Sequence, residues 1–142
     1  MMSWLIFALL SAVSAAFVSI FGKMGLQNID ANTATAIRAI IMAIFLMGVV
    51  VFEGNLNKIP IILHDKKAIL FITLSGIAGA ASWLFYFFAL KLGKVSQVAP
   101  VDKLSVVIAT LLAIFLFGEK LSLLNGIGVA LIAVGVILTA FH

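Results

Sequence analysis

The sequence is 142 residues long, 65% hydrophobic and 10% charged, with a formal net charge of +4. Soluble domains carry about 25% charged residues, so this chain has too little polar surface to face water on all sides. Its basic residues are dispersed rather than clustered in a stripe, which argues against a nucleic-acid partner, and the absence of cysteine excludes thiolate metal sites and disulfide frameworks.

Five long apolar runs, separated by short polar breaks, fill almost the whole chain. Each run is close to the ~20 residues that span hydrocarbon as a helix, and none alternates as a barrel strand does. Backbone groups find no water in the bilayer core, so the runs must be helical. The predicted fold is an all-α integral membrane protein, a bundle of five transmembrane helices in one domain over residues 1–142. The predicted helices cover residues 3–21, 32–52, 68–90, 96–117 and 121–141.

The first run is predicted to remain as a helix, because it lacks the basic start and the small-residue cleavage site of a signal peptide. It carries Ser19 close to its carboxyl end. In the break that follows, Asp30, Asn32 or Thr33 is expected to cap the second helix by accepting a hydrogen bond from a free backbone N–H.

Three charged residues lie inside the predicted spans: Arg38 in the second run, and Asp102 and Lys103 in the fourth. Each costs roughly 2.5–3.5 kcal/mol to insert, and such residues usually face a bundle interior or a watery cavity. All three are about 9–10 Å from the ends at which their helices begin, at 1.5 Å per residue. Because successive helices alternate in direction, the second and fourth helices begin on the same side of the membrane.

The third run follows a break with an apolar patch around Pro60, which is predicted to lie along the membrane interface. This run brings Trp83 and Tyr86 to the level of Arg38, and the first run brings Ser19 to the same level. We therefore expect a polar layer built from four helices and forming a substrate or proton pathway. Two alternatives remain: Arg38 and Lys103 as snorkelling anchors, and Trp83 and Tyr86 as part of an interfacial aromatic belt.

Adjacent helical positions point about 100° apart, so Asp102 and Lys103 are predicted not to pair well with each other. Arg38 is the expected partner of Asp102, because a guanidinium meets a carboxylate bidentately. Lys103 is then left for Tyr86, a helix carbonyl, a second subunit or an anionic ligand. Pro100 either sits in the first helical turn at little cost, or lies deeper and kinks the helix.

Small residues in two runs predict close helix packing. They are Gly76 and Gly79 in the third run, and Gly128 and Gly135, which lie seven residues apart on one stripe, in the fifth. The neighbouring helix could belong to the same chain or to a second copy. Basic residues are nearly balanced between the two sides of the membrane, so the positive-inside rule does not choose an orientation.

The second half of the chain also resembles a known family in the order of several short motifs. The motifs are Ala89-Leu90-Lys91-Leu92-Gly93, Val98-Ala99-Pro100, Leu116-Phe117-Gly118-Glu119-Lys120-Leu121, Gly126-Ile127-Gly128 and Gly135. In this order they resemble the EamA-type domain of the drug/metabolite transporter superfamily. Arg38 also fits the pattern of that family in the second helix, so the resemblance covers essentially the whole chain.

Most members of that family resemble two such domains in tandem, inverted in the membrane, whereas this chain has one. The resemblance implies a secondary transporter in the cell inner membrane that exports or exchanges a small metabolite and forms a homodimer, which the charge balance suggests is antiparallel. No cofactor, metal or catalytic residue is expected. The alternative is a non-transporting scaffold or accessory subunit, which predicts a polar layer that pairs internally and leaves no cavity. An enzyme is disfavoured, because no histidine lies inside a span and no carboxylates cluster.

Overall fold

The computed structural model describes residues 3–141, which form seven α-helices and no strand. Five helical stretches are long and apolar enough to cross a membrane: Trp4–Gly25, Ala31–Phe52, Lys66–Leu92, Val95–Phe117 and Leu123–Ala140. The predicted all-α membrane fold is therefore confirmed. The helices are α1 (Ser3–Gly25), α2 (Ala31–Phe52), α3 (Lys58–His64), α4 (Lys66–Leu92), α5 (Val95–Asp102), α6 (Leu104–Phe117) and α7 (Leu123–Ala140).

The described residues form two compact units. One unit is Met24–Lys91, which holds α2, α3 and nearly all of α4. The other unit combines the chain on either side of that segment, and within it α7 packs against both α5 and α6. Lys23 Nζ donates to Gly93 O at 2.8 Å, which ties the carboxyl end of α1 to the turn before α5. That residues 1–142 act as one domain stays a prediction.

Some helix ends differ from the predicted ones, because polar residues outside the apolar runs also adopt helical structure. The segment around Pro60 forms the separate short helix α3. Asp65 Oδ1 then accepts the backbone N–H groups of Lys67 and Ala68 at 3.0 Å, so α4 begins before its apolar part does. Such a carboxylate replaces the missing intrahelical partners of the first turn.

The fourth span is not the continuous helix predicted for residues 96–117. Pro100 lies inside α5, where its ring nitrogen cannot donate the usual helical hydrogen bond. Near Lys103 two backbone hydrogen bonds span three residues instead of the four of an α-helix. Lys103 N donates to Pro100 O at 2.9 Å, and Val106 N donates to Lys103 O at 3.0 Å. The deeper of the two placements weighed for Pro100 is the correct one, and the span is divided into α5 and α6 at Lys103, three residues further on.

Asp30 caps α2, the helix that carries Arg38. Its Oδ2 accepts the backbone N–H of Thr33 at 2.9 Å and the Thr33 hydroxyl at 3.0 Å. These two hydrogen bonds, and then the nearby charge of Lys91, hold the pKa of Asp30 below its ordinary value. Of the three candidate caps, the structure selects Asp30.

We expect Asp30 to make the protection of the first turn of α2 depend on pH. Because the pKa of Asp30 is lower in the folded chain than in the unfolded chain, its stabilisation is present above pH ~4 and is lost as the pH falls through the folded pKa. Amide hydrogen exchange at Thr33 measures this loss. Asp30→Asn keeps a capping oxygen without a titrating charge, so its protection should not change with that transition. Wild-type protection that stays constant through the acid range would contradict the prediction.

Candidate functional site

Arg38 of α2 lies against the aromatic side chains of α4. Its guanidinium carbon Cζ is 3.5 Å from the centroid of the Trp83 ring and 4.8 Å from that of Phe87. Trp83 also contacts Tyr86 edge-on, at 5.8 Å between ring centroids. Arg38, Trp83 and Tyr86 are therefore neighbours within this unit, and their role in a substrate or proton pathway stays a prediction.

Phe87 belongs to the same cluster but was not predicted. It is buried, and its ring lies 5.6 Å from that of Trp83, four residues earlier on α4. Residues four apart share a helix face, which is the sequence signal that could have identified it. Phe87 is as hydrophobic as the other phenylalanines of the span, so residue type alone did not mark it as a site residue.

A groove of about 360 Å³ runs between α2 and α4, and Arg38 lies on its wall. Thr35 and Trp83 flank Arg38, and the groove continues about 12 Å along α2 to Leu46, eight residues further on at 1.5 Å per residue. Most of the wall between these points consists of small side chains or none. These residues are Ala39 and Ala43 of α2, and Gly76, Gly79 and Ala80 of α4.

The guanidinium of Arg38 is the one formal charge on the wall of this groove. The Trp83 face offsets part of the cost of placing it there, since a cation–π contact contributes about 0.5–1 kcal/mol when exposed and ~2 kcal/mol when desolvated. Thr35 does not receive a hydrogen bond from Arg38; it is buried and its hydroxyl donates to Ala31 O at 2.7 Å. The site is therefore cationic at one end and apolar along the rest.

Asp102 and Lys103 pair with each other, contrary to the sequence-based prediction. Lys103 Nζ lies 3.1 Å from Asp102 Oδ2. The prediction assumed an unbroken helix with adjacent side chains 100° apart, whereas Asp102 ends α5 and Lys103 is the joint before α6. Lys103 is 54% exposed and Asp102 33% exposed, so the pair contributes at most ~1 kcal/mol. The pairing of Arg38 with Asp102 stays a prediction.

Ser19, the remaining residue of the predicted polar layer, is buried in α1. Its hydroxyl donates to Ala15 O at 3.1 Å, one helical turn earlier. The unit formed by α2–α4 brings together Arg38, Trp83 and Tyr86, while the other unit brings together Asp102 and Lys103. A single polar layer from four helices remains a prediction.

The four glycines predicted to mediate helix packing have open space beside them. A Cβ atom built on Gly76, Gly79, Gly128 or Gly135 would meet no atom within 4 Å among residues 3–141. Gly76 and Gly79 instead form part of the groove wall. A close approach at Gly128 and Gly135 is therefore a prediction for a second copy of the chain. Nowhere in residues 3–141 do three or more His, Asp or Glu side chains form a group that could hold a metal ion.

Comparison with known proteins identifies a family and two relatives of this chain. The model of the EamA-like transporter family matches residues 2–141. An uncharacterized transporter in the cobO 3′ region of Sinorhizobium sp is 44% identical over 138 residues, which cover 97% of this chain and 96% of the relative. An uncharacterized protein of Methanocaldococcus jannaschii is 33% identical over 78 residues, covering 55% of this chain and 57% of that protein. No solved structure matches the chain.

Proposed function

Because the chain belongs to the EamA-like transporter family, we propose that this multi-pass membrane protein is a secondary transporter that exports or exchanges a small metabolite. The observation that carries the proposal is the groove between α2 and α4, with Arg38 on Trp83 at one end. A charged residue in a span is costly, and proteins keep one where a substrate or an ion must pass. The membrane in which it works is the cell inner membrane.

The groove supports a transporter over a structural scaffold. A scaffold would pair its polar residues internally and fill the space between its helices with large side chains. Here α2 and α4 face a cavity of about 360 Å³ with alanine and glycine, and Arg38 has an aromatic ring beside it rather than a carboxylate. Transport also needs no catalytic group, in keeping with a family defined by transporters rather than enzymes.

The proposed working unit is a dimer of half-transporters. Secondary transporters commonly place their sites between inverted repeats, and this chain contributes five spans to such an arrangement. The Sinorhizobium relative matches over 96% of its own length, so the match includes all five spans of a protein of similar size. In the dimer, the side chains proposed to line the substrate or proton pathway are Arg38, Trp83, Tyr86, Ser19, Asp102 and Lys103, and Gly128 and Gly135 would face the second copy.

Flux through the groove can be tested before the substrate is identified. Proteoliposomes are loaded with a mixture of organic acids, amino acids, organic cations and sugar phosphates, and mass spectrometry identifies compounds released only when the protein is present. We expect Gly79→Leu to reduce that release at least ~10-fold, the effect of losing ~1.4 kcal/mol of substrate binding. A Cβ at Gly79 meets no atom within 4 Å, so the added side chain has room to enter the groove that Gly79 lines.

Gly48→Leu is the matched control. Gly48 also lies in a transmembrane helix with open space beside it, but it is not part of the groove wall. Both substitutions replace a weak helix former with a strong one, so neither is expected to weaken its helix. Equal release by Gly79→Leu and Gly48→Leu would remove the groove from the pathway, and the absence of any protein-dependent release would count against transport itself.

A further inference from the structure

The Arg38 groove has an unbalanced charge. Arg38 is the one ionisable residue on its wall, and in residues 3–141 the one ion pair is formed elsewhere, by Lys103 and Asp102. Within the unit formed by α2–α4, the guanidinium of Arg38 contacts the rings of Trp83 and Phe87, and no carboxylate lies on the wall of the groove. In a low-dielectric setting an uncompensated cation is stabilised most by a ligand that brings one negative charge.

The geometry of Arg38 selects among anions. Trp83 covers one face of the guanidinium at 3.5 Å, which leaves the N–H groups pointing outward in the guanidinium plane. Two of these groups in parallel match the two oxygens of a carboxylate, which is planar and accepts bidentately. The Trp83 ring fixes the plane of the guanidinium and so reduces the freedom lost when a carboxylate binds.

The remainder of the groove is suited to an apolar chain. Beyond Arg38 its wall consists of Ala39, Ala43, Met42, Gly76, Gly79 and Ala80, with Leu46 at the far end. A volume of about 360 Å³ is at the lower limit of typical small-molecule sites. No carboxylate lines the groove, so the ammonium group of an amino acid or an amine would be buried without a partner.

We infer that the Arg38 groove binds small organic monocarboxylates with an apolar tail, in preference to amino acids, amines and dianionic phosphates. A dianion would bring a second negative charge, and no second cation lies on the wall of the groove to meet it. The inference deepens the proposed function and depends on it for its biological meaning, since it names the class of substrate that the transporter carries. Binding itself can be measured without transport.

The test uses the full chain in nanodiscs, with the fluorescence of Trp83 as the signal. The protein has two tryptophans, so Trp4→Phe leaves Trp83 as the single reporter next to Arg38. Four probes share a six-carbon chain: hexanoate, norleucine, hexylamine and hexyl phosphate. Hexanoate and norleucine differ by one ammonium group. We expect saturable binding of hexanoate with an affinity at least ~10-fold higher than that of each other probe.

Variants separate the site from partition into lipid. Arg38→Gln should weaken hexanoate binding at least ~10-fold, and Arg38→Lys should recover only part of it, because an ammonium cannot form the bidentate contact. Gly79→Leu should block binding while Gly48→Leu does not, which keeps the test decisive if Arg38→Gln fails to fold. Saturable hexanoate binding that Arg38→Gln leaves unchanged, tighter binding of norleucine or hexyl phosphate, or no binding of any probe would overturn the inference.

Failure of this inference is distinct from failure of the proposed function. Protein-dependent release of another class of compound would leave transport intact and refute the monocarboxylate site. Selective hexanoate binding without any protein-dependent flux of hexanoate or other compounds would support the site and refute transport.

Discussion

Asp102→Asn is expected to abolish transport driven by a pH gradient while leaving the protein inserted in the membrane at the wild-type level. Asparagine keeps the size of the side chain and loses the charge that would take up a proton. The ion pair with Lys103 is half-exposed and contributes at most ~1 kcal/mol, so its loss should not prevent folding. The measurement is flux in proteoliposomes with and without an imposed pH difference.

The position of the pair gives a physical reason why the charge of Asp102 matters. Asp102 is at the carboxyl end of α5 and Lys103 precedes the amino end of α6, so each charge lies at the helix end whose dipole disfavours it. Each such contact costs about 0.3–1 kcal/mol at an exposed site, and the pair offsets part of this cost. Loss of the Asp102 charge removes one unfavourable contact and releases Lys103. No charged residue of α6 or α7 would then replace Asp102 as the partner of Lys103.

Two controls accompany Asp102→Asn. Asp102→Glu retains a carboxylate next to Lys103 and should retain part of the pH-driven flux. Glu119→Gln removes one negative charge from an exposed residue between α6 and α7 and should leave the flux unchanged. An unchanged and still pH-dependent rate in Asp102→Asn would remove Asp102 from the mechanism.

The sequence predicted the helical spans because each is set by the thickness of the bilayer, which requires ~20 apolar residues whatever the tertiary structure. It also predicted that Arg38 and Trp83 share one level, because antiparallel helices with a regular rise align residues by simple counting. Counting residues along a helix does not show in which direction a side chain points around the helix axis. For that reason Phe87 was missed, although it lies beneath Arg38.

Two predictions for the fourth span were wrong because its local backbone geometry departs from an ideal helix. The span was predicted as one continuous helix, and the Asp102–Lys103 pair was excluded on the assumption of 100° per residue, which fails at the joint at Lys103 between α5 and α6. Gly76 and Gly79 were predicted to pack against a neighbouring helix because small residues usually permit close contact. Within the chain they lie on the wall of the groove, a position that residue type alone does not predict, and their packing against a second copy stays a prediction.

Two features of the chain favour an antiparallel homodimer. Basic residues are nearly balanced between the two ends of its helices, so insertion in either direction is about equally favourable. The glycines of α7, Gly128 and Gly135, have open space beside them within the described chain, which leaves a flat surface for a second copy. Opposed copies would present the two ends of one site to opposite sides of the membrane, the arrangement that inverted repeats produce within one chain.

Labelling of single cysteines is expected to show both orientations in one membrane. The chain has no native cysteine, and Gln27 and Asn57 are exposed residues in breaks on opposite sides of the second span. In an antiparallel dimer, Gln27→Cys and Asn57→Cys should each react in about half of the molecules with an impermeant maleimide added to one side of sealed vesicles, and in the other half after permeabilisation. Opposite, all-or-none labelling of the two variants would establish one orientation and leave a parallel dimer as the remaining arrangement. Added positive charge provides the control, since lysines introduced into one break should shift both variants towards one-sided labelling in opposite directions.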